Sequence, residues 1–135
     1  MIRNLILMAL LLMASCAQKP MDVDAARQLV ERLIKETDAE NFDVLEELYS
    51  PAFNQSEPIE VKREKLLQLK SATGSVTGME FLSSTLVEEF GQPRKLMIEY
   101  RVLHTKINTI EKFAVVEEEG GYRIASHGVE SENMR

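Results

Sequence analysis

The sequence predicts an α+β domain with three N-terminal helices packed on a curved four-stranded antiparallel sheet. Three observations predict it. Apolar residues recur at helical spacing between residues 22 and 70. From Val76 onward the apolar period shifts toward two. The runs of period two are separated by short turn signals, which makes consecutive strands antiparallel, because parallel neighbours need long crossovers.

The first helix starts at Asp22 or Asp24 and runs to about Glu36. Ala26, Leu29, Val30, Leu33 and Ile34 form one stripe, while Arg27, Glu31, Arg32 and Lys35 take the other face. Glu31 and Lys35 are an i,i+4 pair in the favourable order. A second helix, capped by Asn41, runs to about Tyr49 with Phe42, Leu45, Leu48 and Tyr49 inward. Pro51 stops it, since proline disfavours helix in the residue before it, and residues 52–54 are expected to be extended. Ser56 caps a third helix that has Pro58 in its first turn and reaches about Lys70. Ile59, Leu66 and Leu69 mark its inner face.

The strands are expected at residues 76–88, 95–105, 109–117 and 122–129. Gly78 marks a bulge in the first. In the second, Leu96, Ile98, Tyr100 and Val102 alternate with Lys95, Glu99 and Arg101. Glu119-Gly120-Gly121 is a tight hairpin turn. The polar tail after the last strand is expected to fray.

Ahead of the domain, Arg3 supplies a positive start, residues 5–13 an apolar run, and Ala14-Ser15 a small-residue cut site. This is the anatomy of a secretory signal peptide. The run is far shorter than the ~20 residues a spanning helix needs. Leu12-Met13-Ala14-Ser15-Cys16 resembles the lipobox of bacterial lipoproteins, with Met13 where leucine is usual. The resemblance implies that the Cys16 thiol receives a diacylglyceryl group and that the chain is cut before it. Each buried methylene contributes roughly 0.8 kcal/mol, so several acyl chains anchor durably. The competing reading is an ordinary signal peptide cut after Ala17, with Cys16 incidental. Ala17 is not the aspartate that commonly retains lipoproteins in the inner membrane, which tilts the expected address to the periplasmic side of an outer membrane. Residues 1–15 thus read as leader, 16–21 as lipidated cysteine and tether, 22–130 as domain and 131–135 as polar tail. The tether reaches less than about 20 Å.

The formal charge is −6, with Lys and Arg scattered among acids. A nucleic-acid binder needs a basic stripe, so no nucleic-acid partner is expected. Cys16 is the only cysteine, which rules out an intramolecular disulfide.

Two stretches carry a further resemblance. Residues 41–53, Asn-Phe-Asp-Val-Leu-Glu-Glu-Leu-Tyr-Ser-Pro-Ala-Phe, and residues 111–124, with their acidic-glycine turn leading into Tyr122-Arg123-Ile124, resemble the second helix and last hairpin of the nuclear transport factor 2-like fold. The resemblance spans about Asp22 to Glu130. It implies a helix-lined cone on a curved sheet, a scaffold that hosts enzymes, binders and assembly modules alike.

Candidates for chemistry are few. His104 continues the inward face of the second strand that carries Tyr100, which makes the pair a candidate base and partner for an isomerase- or hydratase-like reaction. The plainer reading of His104 is a strand-end histidine bound to solvent or a backbone carbonyl. His127, near the end of the last strand, is expected at the surface. The two histidines show no metal-ligand spacing, and no metal, cofactor or catalytic set is expected. Glu117-Glu118-Glu119 reads as a solvated hairpin tip. Tyr49, Phe53, Tyr100, His104 and Phe113 are candidates to line an apolar pocket, against the alternative that the aromatic rings fill the core. The favoured expectation is a non-enzymatic, membrane-tethered binding or assembly domain of the cell envelope, acting on an envelope protein or a small apolar ligand. A homodimer through the open sheet face is a third expectation.

Overall fold

Asp22 begins the first helix by accepting a hydrogen bond from the Ala25 amide at 3.1 Å, which satisfies one of the free N–H groups at the helix start. The computed structural model describes residues 19–132. The expected leader, Cys16 and the first tether residues lie outside them. Lys19 and Pro20 are exposed, but Met21 is already buried in the core, so the domain starts one residue earlier than the tether expectation.

Helix α1 spans Val23–Asp38 and buries Ala26, Val30, Leu33 and Ile34, the stripe set by its period. It lies against β1, β2 and β4. A 3-10 turn at Phe42–Val44 leads into the short α2, Leu45–Leu48. Residues 52–54 are helical, not extended. They belong to α3, Pro51–Ser56. Ser50 caps it by accepting from the Phe53 amide at 3.2 Å, and Pro51 occupies the first turn, where its missing N–H costs nothing. The same Ser-Pro pair that ends one helix therefore starts another. Ser56 closes α3 instead of opening the next helix, and Pro58 is the N-cap of α4, Ile59–Thr73.

Strands β1 (Val76–Val87), β2 (Lys95–His104), β3 (Thr109–Glu118) and β4 (Gly121–Ser131) form one sheet in that order. All neighbours are antiparallel, as the short connections require. The register of β1 on β2 shifts between Val76 and Gly78 and again between Phe81 and Ser83. Glu119 and Gly120, the two loop residues between β3 and β4, have φ of 42° and 82°, the backbone twist a two-residue hairpin favours. The end of β4 does not fray. Glu130 pairs with Ile110, and the Glu132 carboxylate accepts from Arg101 at 2.7 Å.

The helix-facing side of the sheet carries Leu96, Ile98, Tyr100 and Val102 from β2, Phe113 and Val115 from β3, and Ile124 from β4, all in the core. Two ties close the helical segment onto it. Tyr49 forms a parallel bridge with Ile124, and the Ser50 amide donates to the Ile124 carbonyl at 2.8 Å. These place the Tyr49–Phe53 turn beside β4. Among the described residues no helix is long and apolar enough to cross a membrane.

Candidate functional site

Strand period two puts Thr109, Glu111 and Phe113 on one side of β3. Glu111 is therefore a carboxylate on the core side, 5% exposed. A buried carboxylate persists only where donors replace its water. Thr109 Oγ1 donates to Glu111 Oε2 at 2.7 Å, and His127 Nε2 donates to Oε1 at 2.8 Å. The register pairs Phe113 with His127 across β3 and β4, and their rings stack at 4.3 Å and 18°. Packing and hydrogen bonding together fix the His127 ring.

His104 joins the same network from β2. Its Nδ1 lies 3.1 Å from the Gly74 carbonyl, an acceptor only, so Nδ1 carries hydrogen. Its Nε2 lies 3.1 Å from Thr109 Oγ1. The Thr109 hydroxyl has one hydrogen. With that hydrogen on the Glu111 carboxylate, His104 must donate at Nε2 as well, which makes it an imidazolium. The shifts agree. Glu111 and the Gly74 carbonyl raise His104 above the ordinary imidazole value against the opposing effect of burial. Burial would raise Glu111, but His104, His127 and Thr109 hold it down at about 2.

Two cavities meet at this network and share Leu66, Leu69 and His127 as walls. The smaller, ≈ 40 Å³, lies between α1, α4 and the sheet, with Glu111, Thr37 and Asp38 at its edge. The larger, ≈ 260 Å³, is bounded by Tyr49, Phe53, Glu57, Lys62, Lys65, Leu66 and Leu69, with His127 and Val129 on the sheet side. Lys62 is 2% exposed. Its Nζ donates to Asn54 Oδ1 at 2.8 Å and sits 4.4 Å from the Tyr49 ring centre and 4.2 Å from that of Phe53. Burial lowers its pKa and pushes the Tyr49 phenol up.

Of the expected pocket residues, Tyr49 and Phe53 line the larger cavity and touch edge to face at 5.2 Å. Phe113 is fully buried and lies beneath the His127 ring. Tyr100 and His104 are not brought together. Four residues along a strand span roughly 13 Å. The Tyr100 hydroxyl donates to Glu31 at 3.1 Å and accepts from Arg27 at 3.3 Å, while both His104 nitrogens are engaged elsewhere. Neither residue lines the two cavities. His127, expected at the surface, is the histidine that does, with a side chain 10% exposed. Among the described residues no group of three or more His, Cys, Asp or Glu is arranged to hold a metal ion.

Glu111 and Lys62 had visible signals. Glu111 occupies an inward position of its strand, among Thr109, Phe113 and Val115 on that side. Lys62 stands three residues after Ile59 and four before Leu66, inside the inner stripe of α4.

Sequence comparison finds no match among known family profiles or among curated proteins. In structure the chain is similar to the beta subunit of benzoate 1,2-dioxygenase from Burkholderia mallei, with a TM-score of 0.53 and 11% identity, over 87% of this chain and 95% of that one. At that identity the likeness is one of fold alone. The helices followed by a four-stranded antiparallel sheet belong to the nuclear transport factor 2-like class of α+β folds.

Proposed function

We propose that this chain is an exported lipoprotein, anchored by lipid on Cys16 in the cell envelope, whose domain binds a small, largely apolar ligand without transforming it. The observation that carries the binding reading is the ≈ 260 Å³ cavity walled by Tyr49, Phe53, Leu66, Leu69 and Val129. Its size falls just below the usual range of ligand sites, which begins at about 300 Å³, so it suits only a small ligand, and apolar and aromatic walls with a few placed polar groups are their usual composition. The address rests on the leader and on Cys16, the only cysteine. Ala17 after it fits delivery to an outer membrane.

Titration with octanol, followed by calorimetry, tests the cavity. Saturable binding with a negative heat-capacity change is expected, and Leu69→Trp, which fills the cavity, should abolish it. Absence of saturable binding to the native protein would defeat the reading. For the anchor, Cys16→Ser should lose incorporation of labelled fatty acid. Processing and membrane location like those of the native chain would defeat that part.

One observation favours a second reading, an isomerase- or hydratase-like enzyme. His127 lines the cavities with Nε2 held by Glu111, so in its neutral form Nδ1 bears the lone pair of a base. Here His127 and Glu111, and not His104 and Tyr100, would do the work. Exchange of α-protons in a panel of small ketones, lost in His127→Ala, would support it. No exchange above the buffer rate would set it aside.

A further inference from the structure

Lys62 is the least expected residue in the wall of the larger cavity. Helix period places it among Ile59, Leu66 and Leu69, and it is buried more deeply than any of them. An ammonium removed from water is costly unless other groups replace its hydration. Of its three N–H donors, one goes to Asn54 Oδ1. The faces of Tyr49 and Phe53 supply cation–π attraction, but neither they nor Asn54 carries a compensating charge.

No carboxylate among the described residues comes within ion-pair reach of Lys62. Glu57 and Glu46 act on it only from longer range, and their pull is outweighed by burial. The other calls on the acids around the cavity are closer. Glu57 pairs with Lys65 at 2.9 Å. Glu111 takes Thr109 and His127. A buried cation is therefore held at the wall of a cavity whose other charged lining, Glu57 and Lys65, is paired with itself, with aromatic rings around it and no counter-charge in contact among the described residues.

We propose that the ligand of this cavity is a small amphiphilic acid, whose carboxylate pairs with Lys62 while its apolar body lies against Tyr49, Phe53, Leu66 and Leu69. The inference rests on the cavity being a binding site and adds the chemical class of what it binds. The pairing supplies the counter-charge that no described residue provides in contact. It also explains why a long cationic side chain occupies a position where leucine or methionine would fill the same space at lower cost. Desolvation strengthens the pair, because the low-dielectric walls leave the charges poorly screened. The geometry selects against neutral analogues, since a neutral group would leave the ammonium uncompensated.

The experiment compares octanoate with octanol by calorimetry at neutral pH, using the native full chain, Lys62→Met and Lys62→Arg. Native protein should bind octanoate at least tenfold more tightly than octanol. Lys62→Met should bind both equally and should melt no lower than native, which separates lost recognition from lost folding. Lys62→Arg should keep a preference for octanoate. If native protein binds the two equally, or if the preference survives in Lys62→Met, the acid inference falls while the apolar binding site stands. If neither compound binds, both fall.

Discussion

His104 Nε2 stands 3.8 Å from Glu111 Oε2 and reaches it through Thr109, whose hydroxyl lies 3.1 Å from the imidazole and 2.7 Å from the carboxylate. The one hydroxyl hydrogen goes to Glu111, which leaves His104 Nε2 to donate to Thr109. With Glu111 held at about 2 against an ordinary 4.5, the carboxylate stabilises the fold fully above pH 4.5 and loses that contribution as pH falls toward 2. His104 is raised above 6.5, so its contribution is fully present below 6.5 and is lost as pH rises through the raised value. Native stability should peak between these limits. The Glu111 shift corresponds to roughly 3 kcal/mol. Urea unfolding of Glu111→Gln should be weaker than native by about that amount near pH 6, with the gap closing toward pH 2. An equal gap at every pH would contradict the charge assignment.

Gly74 bears on the same network from the other side. It ends α4 with φ 88°, and its carbonyl holds His104 Nδ1. A β-carbon there would run into Thr105 Oγ1 and approach the Lys106 amide nitrogen to 3.2 Å. Gly74→Ala should destabilise by about 2 kcal/mol through left-handed strain and the clash. It should also shift the His104 titration in NMR toward the ordinary value, because the carbonyl that helps to raise it is displaced. Loss of stability with an unchanged His104 titration would separate the turn from the network.

Thr37 presents the opposite case. Its Oγ1 is buried beside the smaller cavity and has no hydrogen-bond partner among the described residues. An unsatisfied buried hydroxyl costs about 1–3 kcal/mol, and valine has the same shape without it. Thr37→Val should raise the midpoint of thermal unfolding, by about 1 kcal/mol in stability. A drop in the midpoint would mean that the hydroxyl is satisfied in solution.

The parts of the fold that are readable from sequence are those with a strong local signal. The stripe from Ala26 to Ile34 and the alternation from Leu96 to Val102 mark α1 and β2 to within about two residues, because each buries one apolar face. The Ser50-Pro51 region misleads, since proline both ends a helix and starts one. Here it does both: the Ser50 side chain caps the new helix at the Phe53 amide, while the Ser50 amide is tied to Ile124, a contact far away in sequence. The site is half readable. Tyr49 and Phe53 announce themselves as aromatic residues near a helix end. The importance of His127 depends on the register that sets it over Phe113 and against Glu111, and register between strands is not written in either strand alone.

The exposed end of the β1–β2 hairpin yields the last prediction. Phe90 lies fully in solvent at its tip, with Leu86 also exposed. Arg94 in the same connection donates to the Lys19 carbonyl at 2.8 Å. Lys19 is three residues from Cys16, at most about 10 Å of chain, so a lipid on Cys16 would hold this hairpin at the bilayer surface. The local charges do not oppose the approach. Glu88 and Glu89 are balanced by Arg94, Lys95 and Lys19, although the whole chain is acidic. An interfacial aromatic ring at that depth is favourable. The chain has no tryptophan, so Phe90→Trp introduces a single reporter. In lipid-anchored protein on phosphatidylcholine vesicles, its emission should shift to the blue and be quenched by brominated acyl chains. Leu67→Trp, on the exposed face of α4, should remain solvent-like. If mass spectrometry shows lipid on Cys16 while the indole introduced at position 90 stays as accessible to aqueous quenchers as the one at position 67, the hairpin does not meet the bilayer even though the anchor does.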